Sequence, residues 1–588
     1  MIVAWLAALS FGQESAVEGA EKEEEEGGVS TTFTEDFEIR YWRLPDRLPD
    51  PSDVAVFDYI EQVNRLNANA RSGRWGVDVQ IDEVALFMNR YYLDGELYTE
   101  RELVAEGTYN PMPGFSYVNP EKMRVTWEGE HTSLVVGDAY AAFGRGVALN
   151  LNRNVDIDID TSIQGFKGLF RPGAWDVTLL VGQLNRQQVQ QDNPNAGVPG
   201  ITGDLRHLVG GIRAERFGLG PANVGAHAVA YKFVERPGLS RGFAQIDDAT
   251  PLAAVAGVTT ELTSVAGFDW YGEVDVFGYQ DMPNPLPDSR NKAPGYGAYL
   301  SAATYPGPFV LLVEGKRYLQ ADRLNAALAG EFYEVATGPT LEYERAVNED
   351  SSAALNSNDI TGGRLQLDWS AMPGKLTPYA AMAVFRDEDL GGLHFNRTPE
   401  TITHPMIGVE YVGNHRAVIG NFGVRTDDRD AGAPPLPVAV VGVEPSAHCG
   451  GGARPDRDRQ MHGDLTVEVP IGPLSLDVAL AAELYCWGVN EFQQTDYVES
   501  ETSYTLSYGS DLALTWFMDY TTNPLVNSTG NLGDERLYGA VEVQVKPADA
   551  FTLKAFYGAY KAGIRCSGGQ CRQLPGFSGA RVSAVGTF

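Results

Sequence analysis

Residues 474–484, LSLDVALAAEL, show the repeat that decides the fold of this chain. Leucine, valine or alanine occupies every even-numbered position, whereas Ser475, Asp477 and Glu483 lie between them. Successive side chains of a β-strand point to opposite faces, so this period of two predicts a strand with one apolar and one polar face. The same alternation recurs in 268–279, 512–520 and 537–545.

Two all-β architectures have such strands, a soluble sandwich and a membrane barrel. Length favours the barrel: most predicted strands have about 9–12 residues, as a tilted membrane crossing needs, against about 5–6 in soluble sheets. The connections also favour it, because short turns alternate with long polar loops. The short turns lie at 171–174, 305–308, 337–340, 372–375, 412–415, 470–473, 508–511 and 546–549. The long loops lie near 185–205, 234–252, 281–296, 345–361, 387–403, 426–460, 486–500, 521–536 and 561–575.

The C-terminal strand supports the same conclusion. It reads FSGARVSAVGTF and ends in Phe588, with small apolar residues alternating before it. A terminal aromatic residue on an alternating last strand resembles the signal that outer-membrane assembly machinery reads. The sequence therefore predicts a single large transmembrane antiparallel β-barrel in the outer membrane, with long loops outside and both termini in the periplasm.

Composition excludes several other classes. The chain has 588 residues, 45 Lys and Arg against 78 Asp and Glu, and a net charge of -33, which argues against nucleic-acid binding. A hydrophobic content of 43% argues against general disorder. No apolar run approaches the roughly 20 residues of a membrane-spanning helix, but closed barrels cross membranes without one.

The N-terminal part is divided into three predicted segments. Residues 1–12 resemble a secretory signal peptide, with a buried strand as the alternative. Residues 13–40 carry ten acidic and two basic residues and predict a disordered acidic tether. Apolar residues at helical spacing predict a short helix over 53–70, within a segment, 41–73, that could plug the lumen.

The barrel is expected to occupy 74–588. About 21 crossings follow residue 162, and both ends of the chain lie on one side, so one or three further strands are needed. The candidates are 74–92, 121–128 and 131–138. The prediction is a barrel of about 22–24 strands, a size at which the lumen is usually plugged.

The four cysteines fall in the long loops or beside them. Cys566 and Cys571 are separated by four residues in the last long loop, and their spacing in an oxidising compartment predicts a disulfide. Cys449 and Cys486 lie on the same side and could form a second one. The spacing matches no metal motif, so neither a metal nor another cofactor is predicted.

No sequence motif of an enzyme is present, and we predict no catalytic residue. His404, His415 and His462 lie near the ends of predicted strands. We interpret each of them as a turn or interface residue.

Residues 117–170 contain the most informative departure from the strand repeat. Within GDAYAAFGRG, the glycines Gly137, Gly144 and Gly146 allow close backbone approach or positive φ. Carboxylates at Asp156, Asp158 and Asp160 share one strand face. They predict either a constriction or cation site in the pore, or a polar lumen wall paired with Arg145, Arg153 or Lys167. The candidate lumen residues are Gly137, Asp138, Tyr140, Phe143, Gly144, Arg145, Gly146, Asp156, Asp158 and Asp160.

This stretch carries a family resemblance. The pattern G-D-x-Y-x-x-F-G-R-G-x-A-L at 137–149, with D-I-D-x-x-I-x-G at 158–165, resembles an uncharacterised family of large outer-membrane barrels of Bacteroidota and myxobacteria. The similarity covers roughly residues 55–215, and YIEQVNRLN and FMNRYYLDGELY resemble the myxobacterial branch. The resemblance implies the location and the barrel, and it implies no activity.

Two functions are consistent with the sequence. The first is a pore or transport channel, plugged by 41–75 and by an insertion at 138–161 within the lumen. The second is a non-conducting scaffold that binds partners through its long outer loops. The expected partners are outer-membrane lipid and lipopolysaccharide, the assembly machinery and an unidentified protein. The acidic charge predicts cation selectivity if the barrel conducts.

Overall fold

The fold is taken from a computed structural model of the whole chain. The residues that the structure describes are 28–43, 55–56, 58–87, 90–93, 96–99, 116–154, 159–186, 207–233, 252–280, 294–319, 324, 360–387, 400–413, 416–429, 457–486, 497–522, 537–561, 563–567, 570–574 and 576–588.

Twenty-four strands form the barrel wall. In chain order they are β1 Val29–Arg43, β2 Asp58–Ser72, β3 Trp75–Phe87, β4 Ser116–Glu128, β5 Thr132–Ala139, β6 Ile159–Phe170, β7 Trp175–Arg186, β8 Leu208–Leu219, β9 Ala222–Lys232, β10 Leu252–Val265, β11 Phe268–Gln280, β12 Gly295–Thr304, β13 Phe309–Leu319, β14 Ile360–Trp369, β15 Leu376–Asp387, β16 Glu400–Gly413, β17 Arg416–Arg429, β18 Arg457–Ile471, β19 Leu474–Cys486, β20 Tyr497–Tyr508, β21 Leu512–Thr521, β22 Leu537–Ala548, β23 Phe551–Tyr560 and β24 Phe577–Thr587.

The sheet closes on itself. Each strand pairs antiparallel with the next strand along the chain, and β1 pairs with β24 from Thr34 opposite Thr587 to Trp42 opposite Gly579. Phe33 and Phe588 exchange two backbone hydrogen bonds at the end of this pair, of 2.9 and 2.7 Å. Closure leaves no exposed sheet edge between the first and last strands.

The two faces of the wall match the sequence repeat. On β11, Tyr271, Glu273 and Asp275 point inward and are buried, whereas Val274 and Val276 point outward and are about half exposed. Apolar side chains cover the outward face of the other strands in the same way. An outward apolar face around a closed barrel is the surface that lipid requires.

Aromatic side chains collect at one end of this outer face, beside the short turns. Trp75 and Trp175 follow the turns at 73–74 and 171–174, and the Phe309 and Trp369 rings stack 6.3 Å apart on neighbouring strands. Such a girdle marks the boundary between hydrocarbon and water in membrane barrels. The first strand begins and the last strand ends at this same end.

The predicted helix over 53–70 is wrong. Asp58–Ser72 instead form β2, which pairs along its length with β1 and β3. The apolar stripe predicted a helix wrongly because Ile60 and Leu66 face outward, whereas Val63 of the same stripe faces inward between Glu61 and Arg65. The guanidinium of Arg65 on that face pairs with Asp82 of β3 at 3.0 Å. Long-range pairing has overridden the local helical spacing.

This correction also changes where the barrel begins. The barrel begins at Val29 rather than at 74, so β1 takes the last part of the predicted acidic tether and β2 lies in the wall. Residues 1–27, which include the predicted signal peptide, lie outside the described residues. Residues 41–43 and 58–72 of the segment predicted to plug the lumen therefore lie in the wall, whereas 44–54 and 57 fall outside the described residues.

The strand count of 24 lies within the predicted range, but two strands come from unexpected places. The three candidates between 74 and 138 are confirmed as β3, β4 and β5. Strands β13 and β14 pair directly from Phe309 opposite Trp369, so no barrel strand lies between them. The turn predicted at 337–340 falls outside the described residues. The strands β1 and β2 complete the count.

Outside the wall, Gly563–Ser567 and Gln570–Leu574 form a hairpin in which Cys566 lies opposite Cys571. Cys449 lies outside the described residues, and Cys486 ends β19. In the described part of the chain, no helix has the length and apolar character that a membrane crossing requires.

The orientation of the wall can be tested with one charge on each face. Val274 lies near the middle of β11 on the outer face, and its replacement, Val274→Arg, should destabilise the barrel by about 2–4 kcal/mol, because arginine is costly at the bilayer midplane. The measurement is urea unfolding in lipid vesicles. The matched control, Ser503→Arg, adds the same side chain on the inner face of β20 and should leave the midpoint nearly unchanged. Equal sensitivity of the two positions would contradict the assignment of faces.

Candidate functional site

The candidate site lies between β5 and β6, where residues 140–154 fold into the barrel. We call this segment the lumen insertion. It leaves the wall at Gly137 and Asp138. Gly137 has a φ of 103°, and a Cβ there would overlap the backbone carbonyl of Met123. Only glycine fits this close approach of two strands.

The carboxylate of Asp138 accepts hydrogen bonds where pairing between β4 and β5 stops. Strand β4 pairs with β5 only over Arg124–Glu128. Residues 116–123 of β4 therefore have no strand partner on that side among the described residues. Asp138 accepts hydrogen bonds from the Met123 N–H at 2.7 Å and from the side chains of Ser162 and Asn185 at 2.8 and 2.6 Å. Lys122 also donates to Ser162 and to the Asn185 carbonyl. Side chains thus satisfy the Met123 N–H and the Glu121 carbonyl, which pairing with β5 leaves free.

Tyr140 and Asp160 fasten the base of the insertion. The Tyr140 hydroxyl donates to Asp160 at 2.8 Å, and the Tyr140 carbonyl accepts a hydrogen bond from Lys167 at 2.6 Å. Burial, together with the nearby Asp160 carboxylate, raises the pKa of Tyr140. The phenol therefore stays protonated and keeps its role as the donor. Lys122 and Arg153 each lie 3.6 Å from Asp160 and balance its charge.

Beyond Tyr140 the insertion forms a small hairpin. Ala141–Phe143 pair with Leu149–Leu151, and Gly144 and Gly146 adopt positive φ in the turn. The hairpin side chains join the inner faces of β5 to β16 in one apolar cluster. Phe143 is 1% exposed and lies over Gly211, where a Cβ would come within 2.9 Å of its ring. The inner wall has glycines where the hairpin packs closest.

Polar contacts hold the turn against three inner-wall residues. The backbone N–H of Arg145 donates to Glu273 at 2.8 Å, and the Arg145 guanidinium lies 4.4 Å from the centre of the Tyr271 ring. A Cβ on Gly144 would overlap the Glu273 carboxylate. The Tyr231 hydroxyl donates to the Ala148 carbonyl at 2.6 Å. The hairpin is therefore docked by specific bonds as well as by apolar packing.

A buried polar cluster lies beneath this turn. His227 on β9 and Asp275 on β11 meet across Gly257 of the intervening strand, with 2.6 Å between His227 Nε2 and Asp275 Oδ1. Glu273 points to the same face two residues earlier. We call His227, Glu273 and Asp275 the His–carboxylate cluster.

The structure brings most of the sequence-predicted residues together. Gly137, Asp138, Tyr140, Phe143, Gly144, Arg145, Gly146 and Asp160 lie in the insertion or at its base. Asp156 and Asp158 lie outside the described residues. Of the three bases considered as partners of these carboxylates, Arg153 lies beside Asp160. Arg145 instead stacks on Tyr271 and Tyr299, and Lys167 bonds to a backbone carbonyl.

The interpretation of His404 and His462 as turn or interface residues is wrong. Both are buried on the inner wall, on β16 and β18, and their Nε2 atoms lie 2.7 Å apart. They meet above Gly423 of the strand between them, where a Cβ would overlap the His462 ring. His415 lies outside the described residues.

Sequence reasoning missed the inner-wall half of the site. The period of two places Glu273 and Asp275 on a polar face, but it does not reveal which strand supplies their neighbours. The sequence does indicate an inward face on β9, because His227, Val229 and Tyr231 alternate with alanines. Its meaning depends on strand register, which the sequence does not give.

The described part of the insertion packs against one side of the lumen, formed by β5 to β16. On the opposite side, the inward-facing Asp464 and Glu468 of β18 and Glu501 of β20 are exposed. Asp477 lies opposite Glu468 on the neighbouring strand. Water-accessible carboxylates therefore line the wall that the hairpin does not cover.

Comparison with known proteins identifies no family. No family model and no curated protein matches the chain. The siderophore receptor PirA from Pseudomonas aeruginosa is 7% identical, with a TM-score of 0.43 over 95% of this chain and 80% of the receptor. The copper transporter OprC is 10% identical (TM-score 0.42, 96% and 81% coverage), and the P pilus usher (PapC) translocation pore is 9% identical (0.39, 95% and 99%). Likeness at this level says nothing of what this chain carries, and the resemblance at 137–165 stays a prediction.

The docking of the turn can be tested at Gly144. The substitution Gly144→Ala places a Cβ against Glu273, and overpacking of about 1–3 kcal/mol should raise the undocked population roughly 5- to 150-fold. Amide hydrogen exchange of 140–151 should accelerate by the same factor. The matched control is Gly173→Ala, which also changes a positive-φ glycine but meets open space. Unchanged exchange in Gly144→Ala would contradict the docked arrangement.

Proposed function

We propose that this protein is an outer-membrane channel or transporter whose lumen is narrowed by the lumen insertion. The observation that carries the proposal is the pairing of a closed, outwardly apolar barrel with a folded hairpin inside it. A barrel of more than about 20 strands encloses a wide lumen, which needs an internal segment to restrict passage. The docked hairpin supplies such a segment.

The proposed orientation places the short turns and both chain termini in the periplasm and the long loops outside. The aromatic girdle beside the short turns and the position of the ends of β1 and β24 support it. In this orientation Cys566 and Cys571 face an oxidising compartment. We infer a disulfide between them from their opposed register positions, and a second one between Cys449 and Cys486.

The proposed environment of the barrel is lipid with lipopolysaccharide in the outer leaflet. The outward apolar face supports contact with lipid. The acidic side chains could hold divalent cations that bridge the protein to lipopolysaccharide. The terminal Phe588 is 59% exposed and pairs with Phe33, as expected of an assembly signal that becomes part of the barrel seam.

The channel assignment is tested by single-channel conductance in planar bilayers. The full chain is compared with a variant in which 141–151 are replaced by a short Gly-Ser linker. We expect the variant to conduct more, because the apolar hairpin no longer occupies one side of the lumen. Deletion of the N-terminal segment would not test the channel, because Val29–Arg43 and Asp58–Ser72 are strands of the wall.

A matched control replaces a segment of the same length at 564–574, which belongs to a different hairpin. It should leave the conductance of the full chain unchanged. If neither the full chain nor the 141–151 variant conducts, while both are folded, the channel assignment fails and a non-conducting scaffold becomes the better account.

Ion selectivity provides an independent test of the exposed carboxylates. In a KCl gradient, the reversal potential should show preference for K⁺ over Cl⁻, because inward-facing Asp464, Glu468, Asp477 and Glu501 attract cations. The double substitution Glu468→Gln and Asp477→Asn should reduce this preference. Asp549→Asn, which removes one charge from a fully exposed turn, should not. An anion-selective current would contradict the prediction.

A further inference from the structure

The His–carboxylate cluster is built from three neighbouring strands. His227 of β9, Gly257 of β10 and Asp275 of β11 are direct register partners, so the two side chains straddle a glycine. Neighbouring strands lie about 4.8 Å apart, so residues two strands apart do not normally touch at short range. A Cβ on Gly257 would overlap both groups, and its absence lets them meet.

The three side chains present their donor atoms to one small volume. One nitrogen or oxygen atom from each of His227, Glu273 and Asp275 lies within 4.8 Å of the others. The His227 and Asp275 side chains are 0% exposed, and Glu273 is 2% exposed. Each residue also keeps one buried atom without a hydrogen-bond partner: His227 Nδ1, Glu273 Oε1 and Asp275 Oδ2.

The cluster contains more acidic than basic groups. Two buried carboxylates face one imidazole. Glu273 receives hydrogen bonds from the Arg145 N–H and from the Tyr271 hydroxyl, both neutral donors. The Arg145 guanidinium stacks on aromatic rings, and within the described residues no ion pair reaches Glu273. Buried carboxylates with unused oxygens need a further partner, and a bound cation can provide one.

We infer that the His–carboxylate cluster binds one divalent transition-metal cation, such as Zn²⁺, beneath the Gly144 turn. One imidazole nitrogen and two carboxylate oxygens are a ligand set that Zn²⁺ uses in proteins, with a fourth position left for another ligand. Ca²⁺ and Mg²⁺ prefer oxygen ligands alone, so the histidine selects against them. This site lies beyond the proposed channel function and does not depend on it.

The cation has a structural consequence for the insertion. Glu273 Oε2 already holds the Arg145 N–H, and a metal on the same carboxylate fixes it under the turn. Metal ligands that are themselves held by hydrogen bonds keep a defined orientation. The bound cation should therefore slow amide exchange in 140–151.

The test uses the purified, chelator-stripped full chain and Zn²⁺ in equilibrium dialysis. We expect saturable binding of one Zn²⁺ per chain that a 100-fold excess of Mg²⁺ or Ca²⁺ does not displace. His227→Gln and Asp275→Asn should each weaken binding at least tenfold. His404→Gln, which removes a buried inner-wall histidine elsewhere, should not.

Three results would overturn the inference: no saturable binding by the wild-type chain, binding that survives both cluster substitutions, or binding lost only in His404→Gln. Because a cluster variant can fail to fold, the wild-type chain is also loaded with Co²⁺. A protein-bound d–d absorption spectrum that Zn²⁺ abolishes supports the site. A spectrum of free aqueous Co²⁺ alone rejects it.

Discussion

Backbone pairing in a medium without water is the constraint on which the structure depends. Every N–H and C=O group of a lipid-facing strand needs a partner within the protein, so the sheet has to close. Strands β1 and β24 meet this need by pairing along the last strand and through Phe33 and Phe588. Residues 116–123 of β4 are an exception, because β5 does not pair with them, and there Asp138 accepts the Met123 N–H. The departure of the insertion from the wall is possible because one carboxylate replaces strand pairing.

The same constraint explains what the sequence could predict. Alternation is imposed on every crossing by lipid outside and water inside, so β11, β19, β21 and β22 are evident from their residues alone. The strand β1 was missed because its inner face carries Asp36 and Glu38, which resemble the acidic tether before them. Glu38 lies near Arg581, a base from the far end of the chain. A charge run acquires its structural meaning only when such distant partners are known.

The candidate site could likewise be predicted from the sequence only in part. The segment 137–146 could be recognised because its glycines, its aspartate and its arginine interrupt the strand repeat within ten residues. The inner-wall residues that the insertion contacts could not be recognised, because strand register rather than sequence proximity brings together His227, Glu273 and Asp275. Each inner-wall residue looks like any other alternate polar position. A one-residue slip between β9 and β10 would turn one partner outward and remove the cluster.

Glycine is the common device that joins side chains from different strands of this barrel. Gly257 lets His227 meet Asp275, and Gly423 lets His404 meet His462. In both cases the glycine lies on the middle strand of three, facing inward, where any larger residue would separate the two partners. The outer faces of the same strands need no such gaps, because their side chains contact lipid rather than each other. An inward glycine with titratable residues on both neighbouring strands is therefore a structural signal for polar contacts across a barrel wall, and it can be recognised only once strand pairing is known.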